Sequence, residues 1–256
     1  MKTRNIHRIY IILYILTFHF LFTSDIYGTT ITYPSKDGLA VIADTYIAYG
    51  DKSTPLIVLF HQAGWSRGEY LEIAPELNRL GFNCITVDLR SGGKVNGVTN
   101  ETLKLAKEEG KGTSYVDALQ DIEASLEYAR KNYAMGKLIA WGSSYSAALV
   151  LKVAGDNPGL VDGVISFAPG EYFAKLGKSP TWVQESAKNI TVPVFITSAR
   201  DERNRWSDIY DAIPSKNKTS YVPETKGNHG SRALWKKFDD NEGYWKAVSA
   251  FLKNNF

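Results

Sequence analysis

The apolar run Leu138-Ile139-Ala140-Trp141 passes through Gly142-Ser143-Ser144 straight into the small-residue segment from Tyr145 to Val150. A strand that enters a helix with so little chain between them must turn sharply, and only small residues fit two places before and two places after the apex. Ser143 at the apex would put the bulky Trp141 two places ahead of it, and Ser146 would lie too far into the helix. Ser144 has Gly142 before it and Ser146 after it, so the spacing selects Ser144 as a candidate nucleophile. The usual form of such a turn is G-x-S-x-G, and Ser146 departs from it.

The rest of the chain supplies a sheet for this turn to stand on. Apolar runs at Pro55 to Phe60, Phe82 to Leu89, Val161 to Phe167 and Val192 to Thr197 alternate with helical patterns at Glu69 to Leu80 and Val116 to Tyr133, and a last helix is expected from Tyr244 to Phe256. That alternation predicts an α/β fold with a mostly parallel central sheet and helices on both faces. Thr30 to Tyr33 and Leu39 to Tyr49, joined at Lys36-Asp37-Gly38, predict antiparallel N-terminal strands. A polar stretch follows Asp88-Leu89-Arg90-Ser91-Gly92-Gly93 to about Gly112, and the aromatic segment 171–189 is read as a small flap or as surface packing.

Lys2, Arg4 and Arg8 precede an apolar run from Ile9 to Phe22, the order of a secretory signal, so residues 1–28 are expected to be a leader or an N-terminal anchor and 29–256 a single domain. This predicts export to a periplasmic or extracellular location. A net charge of +3 with dispersed Lys and Arg disfavours a nucleic-acid partner. Cys84 is the single cysteine and lies in an apolar run, where a buried thiol is expected. Asn100, Asn189 and Asn217 head formal glycosylation sequons.

Serine chemistry needs a base for the hydroxyl proton and a carboxylate to orient that base. Beyond the leader only His61 and His229 remain; His61 follows an early strand, where it would shape a loop, and His229 sits late in a tight Gly-Asn-His-Gly setting. His229 is therefore the expected base. Asp201 and Glu202 both follow the penultimate strand; Asp201 is the expected orienter and Glu202 the alternative. The oxyanion that forms in acyl transfer needs two aimed donors. The backbone amide of Tyr145 and that of Ala63 are expected to supply them, with Gln62 assisting by amide or side chain. Trp65, Tyr172, Phe173 and Trp182 are candidates for an apolar substrate pocket, or for core.

Ser144, Asp201, His229 and the loop His61-Gln62-Ala63-Gly64 together resemble the α/β-hydrolase fold, especially its compact dienelactone-hydrolase-like and small carboxylesterase members. The resemblance spans the chain beyond the leader. Gln62 departs from the family's usual His-Gly, and dienelactone hydrolases proper carry cysteine at the nucleophile, so lactone specificity does not carry over to Ser144. The Asp88-to-Gly92 segment looks like the family's Asp-x-Arg-Gly turn and is read as structural. The resemblance implies no metal and no organic cofactor, and a small-molecule ester substrate cleaved through an acyl-enzyme. Lipase, thioesterase or serine peptidase activity on the same fold is the alternative, and a non-catalytic secreted binding protein is the alternative of another class.

Overall fold

The computed structural model describes residues 28–256; the expected leader falls outside them except for Gly28. An eight-stranded sheet forms the centre. The strands in chain order are β1 (Thr29–Pro34), β2 (Ala40–Tyr46), β3 (Leu56–Phe60), β4 (Asn83–Val87), β5 (Lys94–Val95), β6 (Val98–Thr99), β7 (Leu138–Ser143), β8 (Gly163–Phe167), β9 (Val194–Thr197) and β10 (Lys218–Tyr221). The order across the sheet is β1-β2-β4-β3-β7-β8-β9-β10, and β5 pairs with β6 as a separate small hairpin. β2 runs antiparallel to both β1 and β4, and every other pairing in the large sheet is parallel. The α-helices are α1 (Ile73–Arg79), α2 (Glu101–Glu108), α3 (Leu119–Asn132), α4 (Tyr145–Asp156), α5 (Trp182–Ala187), α6 (Ser207–Ala212) and α7 (Asn241–Asn255).

Burial on both faces explains the unbroken apolar runs of the inner strands. Leu56, Val58 and Phe60 of β3 enter the core on one face, beneath α3, α4, α5 and α6. Ile57 and Leu59 enter the core on the other face, beneath α1 and α7. The alternation is the period of two that strand geometry imposes.

Two helical segments differ from expectation. The helix expected from Glu69 to Leu80 is divided into a 3-10 turn, Arg67–Tyr70, and α1. Pro75 accounts for the break: with no N–H and a ring that crowds the carbonyl four residues back, it is tolerated in the first turn of α1 but not in the interior of a longer helix. The polar stretch before Gly112 contains α2, capped by the Asn100 side chain, which accepts from Leu103 N. The 171–189 segment carries a 3-10 turn, Ala174–Leu176, and α5, which lies against α4 and α6 with Val183 and Ala187 buried.

Parallel strands deliver their C-terminal ends to one edge of the sheet, and loops at that edge are where open α/β sheets build their sites. The exits of β3, β7, β8, β9 and β10 all open there, with β7 in the middle of the sheet.

Candidate active site

Ser144 stands between the last residue of β7 and the first of α4, with φ 60° and ψ −119°. A non-glycine residue at positive φ carries strain of about 1–3 kcal/mol and persists only where its surroundings hold it. Ser144 N is fixed by the Phe167 carbonyl at 2.8 Å. Gly142 is required because a Cβ there would collide with the Ser146 carbonyl oxygen and with Ala147 Cα. Ser146, the departure from glycine, is fully buried and ties the turn together: its hydroxyl accepts from Ser143 N at 2.8 Å and donates to the Phe60 carbonyl at 2.7 Å.

His229, from the loop after β10, places Nε2 at 2.7 Å from Ser144 Oγ. Its Nδ1 lies 2.7 Å from Glu202 Oε1. An ionised carboxylate can only accept, so Nδ1 carries the proton and Nε2 is left to accept the serine hydroxyl. Burial acts to raise the Glu202 carboxyl, but the hydrogen bond and charge of His229, together with Arg205, outweigh it and hold the group below its ordinary value. Arg205 reaches the same oxygen at 3.5 Å.

Asp201, expected to orient the histidine, does not. Its side chain is 76% exposed, and its contact is with Arg200 Nε at 3.5 Å. The chain after β9 winds into a 3-10 turn, Arg200–Arg205, in which neighbouring side chains diverge by about a third of a turn, so only one of the adjacent acids can face inward. Glu202 is that acid.

The loop after β3 is held from beneath by His61. Its Nδ1 donates to the Gln62 carbonyl at 2.8 Å, and its Nε2 accepts from Leu89 N at 2.9 Å and from Asn100 Nδ2 at 3.1 Å. Burial pushes its pKa down to about 4, so it is neutral and structural. The Asp88-to-Gly92 turn is braced in the same way: Arg90 pairs with Asp121 at 2.7 Å and with Asp37 at 2.8 Å, and Asp88 pairs with Arg67. Gln62 N donates to Glu69 Oε2 at 2.7 Å, so that amide is committed and is not the assisting oxyanion donor. Ala63 is half-buried beside it. Tyr145 N lies in the first turn of α4, where backbone amides have no intrahelical partner.

The candidate pocket residues separate. Tyr172 stands over the site: its hydroxyl donates to the Ala168 carbonyl at 2.7 Å, and its phenolic oxygen neighbours the Ser144 and Arg205 side chains. Trp65 is half-buried and stacks on Trp235 at 5.2 Å. Phe173 is fully buried and meets Trp182 edge-on at 5.0 Å, so it belongs to the core. Trp182 is half-buried against the same core, with the Lys152 ammonium 4.7 Å from its ring. A cavity of about 350 Å³ opens beside the His229–Glu202 pair, with Asp201, Lys226 and Arg232 in its walls.

Glu69, Ser231, Arg205 and Arg232 also surround the site, and no spacing or motif singles them out in the sequence. The charge of Glu69 at the start of an expected helix is the only local signal it carries, and it points to solvent rather than to the fully buried position found.

A family model described as serine aminopeptidase, S33, matches residues 51–175. No curated protein matches the chain by sequence. Among solved structures, the chain is similar to an esterase from Pyrococcus furiosus, with 19% identity, a TM-score of 0.67, and coverage of 89% of this chain and 92% of that one. It is similar to a dienelactone hydrolase from Anabaena variabilis, with 13% identity, a TM-score of 0.69, and coverage of 90% and 98%. It is also similar to Est1E from Butyrivibrio proteoclasticus with ferulic acid bound, with 15% identity, a TM-score of 0.68, and coverage of 88% and 98%. The parallel sheet with its antiparallel N-terminal strands, the strained serine at the exit of its central strand, and these likenesses agree: the chain is a protein of the α/β-hydrolase fold.

Proposed function

We propose that the protein hydrolyses carboxylic esters through Ser144, His229 and Glu202. The observation that carries this reading is the unbroken row of 2.7 Å contacts from Ser144 Oγ to His229 Nε2 and from His229 Nδ1 to Glu202 Oε1, on a strained strand-to-helix turn. His229 takes the hydroxyl proton as Ser144 Oγ attacks the ester carbonyl, and the Glu202 carboxylate stabilises the imidazolium that forms. The backbone amides of Tyr145 and Ala63 receive the oxyanion. His229 then returns the proton to the leaving alkoxide, and a water, activated by the same imidazole, cleaves the acyl-enzyme.

The matched family description makes aminopeptidase activity a second reading. An aminopeptidase must hold a substrate ammonium, which calls for an unpaired carboxylate near the serine. Here Arg205, Lys226 and Arg232 surround the His229–Glu202 pair, Glu202 is committed to His229, and Asp201, the other carboxylate in the cavity wall, faces Arg200. That charge balance favours a neutral or anionic ester over a free amine.

Labelling by a fluorophosphonate together with turnover of a short-chain p-nitrophenyl ester tests the reading. Both are expected in the wild type and neither in Ser144→Ala, while an amino-acid anilide should turn over poorly. Wild-type protein that takes no label and cleaves no ester, thioester or amide would sink the enzyme claim in favour of a binding protein. Export belongs to the same proposal, on the strength of Lys2, Arg4, Arg8 and the apolar run after them. N-terminal sequencing of protein recovered from outside the cytoplasm tests it.

A further inference from the structure

Resting on the hydrolase reading, we propose that Glu69 is a positioning residue whose carboxylate sets the spacing between the two oxyanion donors by bridging the loop that carries Ala63 and the turn that carries Ser144. Glu69 lies in the 3-10 turn Arg67–Tyr70 and is fully buried. Oε2 accepts from Gln62 N, the amide next to Ala63, at 2.7 Å. Oε1 accepts from the hydroxyl of Ser143, the residue before Ser144, at 2.7 Å. Ser143 Oγ in turn accepts from Ser231 N at 2.9 Å, two residues beyond His229. One carboxylate thus touches, directly or through one hydroxyl, the donor loop, the nucleophile turn and the histidine loop.

The histidine loop is packed closely enough to register a shift in this bridge. A Cβ on Gly230 would stand 2.5 Å from Ser143 Oγ and 3.1 Å from Gln62 Oε1. Several groups face Glu69. Tyr70 is on its own turn, Tyr145 is on α4, and Ser231 and Arg232 come from the histidine loop. Arg67, also on the same turn, is engaged with Asp44, Asp88 and Glu101 instead.

Both carboxylate oxygens must accept at once for the bridge to hold. A proton on Oε2 would face the Gln62 N–H. A proton on Oε1 would face the Ser143 O–H, whose oxygen already accepts from Ser231 and whose proton would then be left without a partner. Either way one arm opens. Burial, only partly offset by the Ser143 and Gln62 hydrogen bonds and by Arg232, pushes the Glu69 carboxyl up to about 7, so the bridge opens on mild acidification. A glutamine in its place would set an NH2 group against one of the two donors at every pH.

The test measures kcat and KM for p-nitrophenyl acetate, and the fluorophosphonate labelling rate, against pH in the wild type, Glu69→Gln and Ser143→Ala. Glu69→Gln should lower kcat about a hundredfold, the scale of a misplacement of about 1 Å at a reacting centre, with KM changed by less than about threefold. The acid limb of wild-type kcat/KM should require the loss of one more proton than that of Glu69→Gln. Ser143→Ala deletes one arm of the bridge and a donor that favours the carboxylate, so it should lower kcat in the same direction as Glu69→Gln, and its Glu69 carboxyl should titrate at higher pH. The infrared C=O stretch of a buried carboxylic acid should titrate with the wild-type limb and be missing in Glu69→Gln. Glu69→Gln with a wild-type pH profile and kcat, or Ser143→Ala with a wild-type kcat, overturns the role of Glu69 and leaves the hydrolase reading standing. A wild type with no turnover and no labelling overturns both.

Discussion

Replacing Glu202 by Gln separates the acid found in the structure from the one expected from the sequence. The substitution keeps the shape of the side chain but removes the charge 2.7 Å from His229 Nδ1 and leaves an amide that can face the ring with an N–H. At ~4 Å between charge centres and an effective dielectric near 20, the attraction between this carboxylate and the imidazolium is about 4 kcal/mol. Lost from the transition state, that amounts to about a thousandfold in kcat. The wrong tautomer adds to it, toward the ~10⁴-fold seen when a triad carboxylate becomes an amide. The Glu202 side chain is only 15% exposed, so solvent recovers little of the loss. Asp201→Asn, at a side chain 76% exposed, should leave kcat within about twofold. Steady-state hydrolysis of p-nitrophenyl acetate with active-site titration reads both variants. Retention of more than about a tenth of wild-type kcat by Glu202→Gln, or collapse of Asp201→Asn, would refute the assignment.

Other consequences are open to measurement. Arg90→Met strands the buried Asp121 carboxylate and should cost about 3–5 kcal/mol in urea unfolding. Ser146→Ala leaves Ser143 N without its acceptor inside the turn and should cost about 1–3 kcal/mol, with a fall in labelling rate that glycine would not restore. Because the folded-state pKa of Glu69 is raised from 4.5 to about 7, its contribution to stability is full below about 4.5 and is lost as pH rises through about 7; this is worth ~3 kcal/mol, and in Glu69→Gln the slope should vanish from urea midpoints taken across that window. Expressed in a glycosylating host, the chain should be modified at the exposed Asn189 or Asn217 and never at Asn100, which is 2% exposed and whose amide bonds His61, Trp65 and Leu89; glycopeptide mass spectrometry would show this.

The parts legible in the sequence were those that the sheet dictates. Strands buried on both faces must be apolar throughout, so Leu56–Phe60 and Leu138–Ser143 could be seen directly, and the spacing of small residues around Ser144 follows from steric contact. The order of serine, acid and histidine followed from the succession of strand exits. What the sequence hid depends on direction rather than position. Asp201 and Glu202 are chemically alike and adjacent, and only the 3-10 winding after β9 separates them. Phe173 and Tyr172 are adjacent aromatics, yet one enters the core and the other stands over the serine. α2 went unseen because its buried residues, Thr102 and Ala106, are small and only weakly apolar, while its leucines stay half-buried. Glu69 was hidden for the opposite reason: a charged residue reads as solvated unless its burial is known.

Ser144 is not the only strained residue at the sheet's edge. Ala168, at the exit of the next strand, also has φ 60°, and the two positions are joined in series: Ser144 N is held by Phe167 O at 2.8 Å, and Ala168 N by Thr197 O at 2.6 Å. Two strained strand exits are therefore each held by the end of the next strand, β7 by β8 and β8 by β9. Such a latch has no half-open form, because releasing one residue lets its neighbour relax as well. Ser144 should then share the cooperative fate of the sheet and not fray with the loops around it. In a urea titration, fluorophosphonate reactivity and near-UV ellipticity should disappear together, and reactivity lost well before ellipticity would show that the latch is local after all.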